Sequence, residues 1–149
     1  MLIKRNFVIL FASIAFIILI FICCSSSFNS SSSLSAIKYN FSQENDINTI
    51  TFKKLNGTQT IIKISNKDDV TYTLSYSINT TKGKIKLYLV DSNDNIISEY
   101  DDKSQELSIN TKSNSDIFVK ISAKNASGNI QYQISPNDNT VTLSKSLFD

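Results

Sequence analysis

The stretch "VTYTLSYSI", residues 70–78, sets the strictest limit on the fold of this chain. Val70, Tyr72, Leu74, Tyr76 and Ile78 alternate with Thr71, Thr73, Ser75 and Ser77. A period of two places the apolar set on one face and the hydroxyls on the other, as a half-buried strand requires. The β-branched and aromatic residues favour the same assignment. The pattern returns along the chain. "NTITFKKL" offers Ile50 and Phe52, and "TQTIIKIS" offers Ile62 and Ile64 with Thr60 on the same face. "KIKLYLV" offers Ile85, Leu87 and Leu89, and "ELSIN" offers Leu107 and Ile109. "DIFVKISA" offers Ile117, Val119, Ile121 and Ala123, and "NIQYQIS" offers Ile130, Tyr132 and Ile134. "IKYNF" is a weaker strand, and no helical period is sustained after Cys24.

Clusters of Asn, Asp, Gly and Ser interrupt these runs at 56–57, 66–69, 79–83, 91–95, 112–116 and 124–129. Such residues suit turns, so each cluster is expected to end one strand and start another. Pro136 closes the last clear strand. The sequence thus predicts an all-β domain over 37–136, an antiparallel two-sheet β-sandwich of seven to eight strands. A small closed barrel is the rival arrangement. Residues 137–149 form a further edge strand or a tail.

The N-terminus reads differently. Lys4 and Arg5 precede "FVILFASIAFIILIFICC", an uncharged run from Phe7 to Cys24. As a helix it would measure about 27 Å, just short of a hydrocarbon core of roughly 30 Å. Residues 1–24 are expected to be a hydrophobic helix that serves as a secretory signal, a lipoprotein signal or an uncleaved anchor. Under the lipoprotein reading, Cys23 or Cys24 takes the lipid. All three readings keep the positive charge cytoplasmic and send the remainder across the membrane. Residues 25–36, "SSSFNSSSSLSA", are expected to be a flexible Ser-rich linker. The expected location is extracytoplasmic and tethered to the membrane, or secreted if the segment is cleaved without lipidation.

Composition restricts the chemistry. There is no histidine, and Cys23 and Cys24 are the only cysteines. The domain therefore lacks the residues for disulfides, structural zinc or a His-based triad, and no metal or cofactor is expected. Removing Lys4 and Arg5 from the 15 basic residues leaves 13, against 13 acidic ones. A neutral domain gives no electrostatic case for nucleic acid. "DSNDN", 91–95, has alternating oxygen ligands, but Ile96 and Asp102 stand where an EF-hand loop needs Gly and Glu. Asp91, Asn93 and Asp94 read as turn residues. Asn29, Asn40, Asn56, Asn79 and Asn125 begin Asn-x-Ser/Thr sequons, about as many as chance supplies in a chain this rich in Asn, Ser and Thr. Acidic residues lie mostly in turns, away from an apolar setting, so an enzyme is not expected. Tyr88 and Phe118 fall on the outward faces of their strands, where they are candidates for stacking on a sugar or anchoring a partner.

The order "FKKLNGTQTIIKIS", "VTYTLSYSINTTKGKIKLYLVDSNDNII", "DIFVKISAKNASGNIQYQIS" resembles small extracytoplasmic β-sandwich proteins of Gram-positive bacteria, often lipoproteins. It also resembles the jelly-roll-like accessory domains of secreted peptidases. The resemblance covers about residues 50–135 and implies a fold rather than an activity. The expected function is a non-catalytic binding or structural component of the envelope. The alternatives are an accessory carbohydrate- or peptide-binding module, or a small carboxylate-based hydrolase. The expected partners are the membrane and a glycan or protein ligand outside it.

Overall fold

The computed structural model describes residues 34–66, 68–101, 104–112 and 114–146. Cys23, Cys24 and the expected N-terminal helix lie outside the described residues. Seven strands follow in order: β1 (Lys38–Glu44), β2 (Ile47–Asn66), β3 (Thr71–Asp91), β4 (Ile96–Tyr100), β5 (Gln105–Asn110), β6 (Ser115–Ser135) and β7 (Val141–Leu143). Every pairing is antiparallel.

Three of these strands are unusually long. β2 has 20 residues, and β3 and β6 have 21 each, against roughly 3–10 in ordinary strands. The first part of β3 pairs with β5 and the end of β6, while its second part pairs with β4 and the start of β6. β2 divides likewise between β1 and β7. One continuous sheet therefore has two five-stranded layers. Layer 1 runs β1–β2–β6–β3–β5 and layer 2 runs β7–β2–β6–β3–β4.

The layers close on a single apolar core that draws on both. Layer 1 contributes Ile50, Phe52, Tyr72, Leu74, Ile130 and Tyr132; layer 2 contributes Ile62, Ile64, Leu87, Val119 and Ile121. Tyr76 of layer 1 meets Tyr100 of layer 2 edge-on, with ring centroids 6.4 Å apart. The Tyr72 hydroxyl shares a 2.6 Å hydrogen bond with Thr140, just before β7. Burial of side chains this size stabilises a fold by about 1.5–3 kcal/mol each.

This arrangement corrects the expected turns. The clusters at 56–57, 79–83 and 124–129 do not end strands; they lie inside β2, β3 and β6, where the sheet passes from one layer to the other. Register shifts gather there. Lys54, Gly57, Gly83, Asn125 and Gly128 all have positive φ. The three strands press together along this seam. A Cβ on Gly83 would sit 2.3 Å from the Asn125 carbonyl oxygen, and one on Gly128 would sit 2.0 Å from that of Asn79. Asn56 Oδ1 accepts the Asn125 amide at 2.7 Å, Thr81 Oγ1 donates to the Ser127 carbonyl at 3.0 Å, and the Lys54 amide donates to Ser127 Oγ at 3.1 Å.

The other clusters, at 66–69, 91–95 and 112–116, do separate strands. So does Asn45–Asp46, a two-residue hairpin with φ of 48° and 64° that suits a type I′ turn. Thr60 is a second correction: a register shift between Thr60 and Ile62 turns it outward, and Gln59, Ile61 and Ile62 are buried instead. "IKYNF" lies largely in β1, and the C-terminal segment supplies the edge strand β7. Beyond it, Gln59 Nε2 donates to the Ser146 carbonyl and to Ser144 Oγ. At the other end, the chain enters the sheet at the seam. The Ser35 amide donates to the Asn56 carbonyl at 3.0 Å, and the Asn56 amide donates back at 2.8 Å.

Candidate functional site

The outer faces of the two layers carry different chemistry. On layer 1 the outward positions line up across the strands in rungs. One rung runs Gln133, Ser75, Glu106, with Ile47 lining the same trough, and the next runs Thr49, Gln131, Ser77. Ser104 joins the second rung through a 2.9 Å hydrogen bond to Ser77 Oγ. Further rungs bring Thr51, Asn129 and Asn79, and Ser135, Thr73 and Ser108. Gln131 and Gln133 stand exposed at the centre of this face, on β6, flanked by β2 and β3. Between them and the β5 edge runs an open trough of about 420 Å³, with Glu106 the single charged residue among its described lining. Amides and hydroxyls supply both donors and acceptors without net charge.

Layer 2 holds the two aromatic candidates. Phe118 sits on β6 between Lys63 of β2 and Val90 of β3, and Tyr88 sits on β3 between Lys120 of β6 and Glu99 of β4. Both are half-buried and lie diagonally on neighbouring strands. The ammonium groups of Lys63 and Lys120 lie 5.6 and 5.7 Å from the Phe118 ring centroid, within cation–π range. Each lysine is also held by an acid. Lys63 pairs with Asp116 at 2.9 Å and Lys120 with Asp94 at 2.6 Å, while Lys86 pairs with Glu99. The bonds from Lys63 and Ser65 hold the Asp116 carboxyl below its ordinary range. The Glu99 carboxylate raises Lys86, and burial raises the Tyr88 phenol. Val90 is fully buried yet stands apart from the main core, opposite Phe118. Phe118, Lys63 and Thr60 border a hollow of about 430 Å³ with Thr142, Leu143 and Ser144.

The Asp91 loop is a turn, as expected from its residue types. Asp91 Oδ1 accepts the amides of Asn93 and Asn95 at 2.8 and 2.9 Å, and Oδ2 accepts Asn95 Nδ2 at 2.9 Å. These bonds lower the Asp91 pKa. Its oxygens hold the loop closed, and Asp94 faces Lys120. Among the described residues no group of three or more acidic or thiol side chains is placed to hold a metal ion.

Sequence reasoning singled out the layer 2 aromatics and passed over Gln131, Gln133, Ser75 and Ser77. Those four were legible only as the polar side of strands. The available signal was their kind: "SYS" and "QYQ" put neutral hydrogen-bonding groups where solvated strand faces often carry Lys or Glu.

No family model matches the chain, and no curated protein does. Two solved structures follow a similar backbone course. One is a family 35 carbohydrate binding module from an environmental isolate, with TM-score 0.43, 16% identity, and coverage of 78% of this chain and 96% of that one. The other is the carbohydrate binding module CBM6cm-2 from Cellvibrio mixtus lichenase 5A, in complex with cellotriose, with TM-score 0.44, 11% identity, and coverage of 73% and 93%.

Proposed function

We propose that the chain is a non-catalytic binding module, held outside the membrane by its N-terminal segment, whose layer 1 trough takes a neutral glycan. The trough's lining carries this reading. Gln131, Gln133, Ser75 and Ser77 present planar amides and hydroxyls on a rigid sheet, and sugar hydroxyls need that mixture of donors and acceptors. Rigid elements hold such groups better than loops do. Glu106 is the single carboxylate among the described lining residues. Glycoside hydrolysis ordinarily uses two, which favours binding over cleavage.

A titration of the full chain in detergent against neutral and acidic oligosaccharides tests the proposal. Neutral glycans should bind, and the double variant Gln131→Ala/Gln133→Ala should weaken binding about tenfold, as the loss of one or two net hydrogen bonds implies. Unchanged affinity in that variant would sink the trough as the site. Release of reducing sugar that is lost in Glu106→Gln would sink the non-catalytic reading.

The hollow beside Phe118 supports a second reading, in which Tyr88 and Phe118 contact the ligand. Its apolar ring and flanking hydroxyls suit a sugar face. The Lys63 and Lys120 ammonium groups already engage that ring, which places this reading second.

A further inference from the structure

We propose that the seam end of the domain is a docking face for an anionic lipid bilayer. The three crossing segments, "KKLNG" at 53–57, "NTTKGK" at 79–84 and "KNASGN" at 124–129, carry Lys53, Lys54, Lys82, Lys84 and Lys124 and no acidic residue. The fold brings these segments together: Lys84 stands opposite Lys124, and Lys82 opposite Ser127. All five lysines are exposed. Lys63, Lys86 and Lys120, by contrast, are held in ion pairs. Five like charges at one end of a near-neutral domain have no internal function in view, and repel one another unless something anionic faces them.

Most of the described carboxylates lie at the opposite end, while Glu99 and Asp101, beside Lys86, and Glu106 on β5 lie nearer the seam. Glu44 and Asp46 flank the β1–β2 turn, Asp68 and Asp69 lie between β2 and β3, and Asp91 and Asp94 hold the β3–β4 turn. Asp116 opens β6, and Asp138 lies between β6 and β7. The crossing segments are thus basic, and the connections at the far end mostly acidic.

The occupant follows from where the chain enters. Ser35 pairs with Asn56, and the Ile37 amide donates to the Lys53 carbonyl at 2.9 Å, so the linker arrives at the lysine end. Ten residues separate Cys24 from Ser35, and a flexible chain of that length spans roughly 16–19 Å. With the apolar segment in a bilayer, which is the anchor reading given above, the seam is the end nearest the headgroups. Anionic headgroups attract each nearby lysine, within a Debye length of about 8–10 Å. Docking there leaves the layer 1 trough on the flank, open to a ligand.

The test uses the full chain reconstituted in vesicles of phosphatidylcholine alone, or of phosphatidylcholine with phosphatidylglycerol. The rate of amine acetylation at each lysine is read by mass spectrometry. On anionic vesicles Lys53, Lys54, Lys82, Lys84 and Lys124 should react at least about fivefold more slowly than on neutral ones, and Lys112, at the loop end, should not change. High salt should remove the difference. The variant Lys82→Glu/Lys84→Glu should lose the protection at Lys53, Lys54 and Lys124. Equal rates on both vesicles overturn the proposal. So does protection that ignores salt and lipid charge, since that would be burial in the protein. A chain that does not float with either vesicle overturns the anchor and the docking together. Glycan affinity measured on the same preparation stands or falls separately.

Discussion

The two layers share three strands and one core, yet their outer faces have little in common. Layer 1 shows Gln, Ser, Thr and Asn in rungs across its strands. Layer 2 shows lysines, two aromatics and ion pairs. The same backbones supply both, because a strand that passes from one layer to the next carries a separate outward set in each. The buried positions answer to packing in either layer and are alike. The outward positions are released from packing, so their difference points to a difference in task.

The comparison assumes that the layers form one unit, and the strongest perturbation breaks that assumption. Gly128→Ala puts a Cβ against the Asn79 carbonyl at a φ of 150°, and the clash should cost roughly 3 kcal/mol or more. Because β2, β3 and β6 belong to both layers, thermal unfolding should remain a single transition at a lower Tm. Two separate transitions would show independent layers. Ile130→Ala in layer 1 and Ile121→Ala in layer 2 should each cost about 2–5 kcal/mol; denaturant melts that differ strongly between them would show an unequal core.

Phe118→Ala sharpens the contrast between the faces. It uncovers Val90 and removes the ring that Lys63 and Lys120 approach, for a loss of about 1–3 kcal/mol. Glycan affinity should stay at the wild-type value if the trough is the site. The weakest effect belongs to the acidic loop end. Asp91, Asp116 and Asp138 have lowered pKa values, from hydrogen bonds made by Asn95, Lys63 and Thr140 respectively. Their contribution is complete above the ordinary carboxylate value of 3.8 and is lost as pH falls through the lowered ones. The Asn93 and Asn95 amide chemical shifts should titrate with a midpoint below 3.8. A midpoint at or above it would remove the Asp91 staple.

Much of the fold was legible because alternation reports burial directly. Tyr72, Leu74, Tyr76 and Ile78 are all buried, as are Ile117, Val119, Ile121 and Ala123. The connectivity was not, because Asn and Gly serve a turn and a strand crossing equally well: both need positive φ. One clue was present. The positions that β3 gives to the main core are even-numbered up to Ile78 and odd-numbered from Ile85, and those of β6 change from odd to even between Ala123 and Ile130. The trough was harder to see. Gln131 and Ser77 become neighbours through pairing between strands far apart in sequence, and a one-dimensional pattern marks each only as polar.

That change of parity makes the seam act on the strands as a frameshift acts on a reading frame. Deleting Thr81 alone would leave the first part of β3 in place and offer Lys86, Tyr88 and Val90 to the core in place of Ile85, Leu87 and Leu89. A paired change of two residues would restore the phase. Variation in length should therefore be freely tolerated in the loops at the acidic end, but at the lysine end only in steps of two.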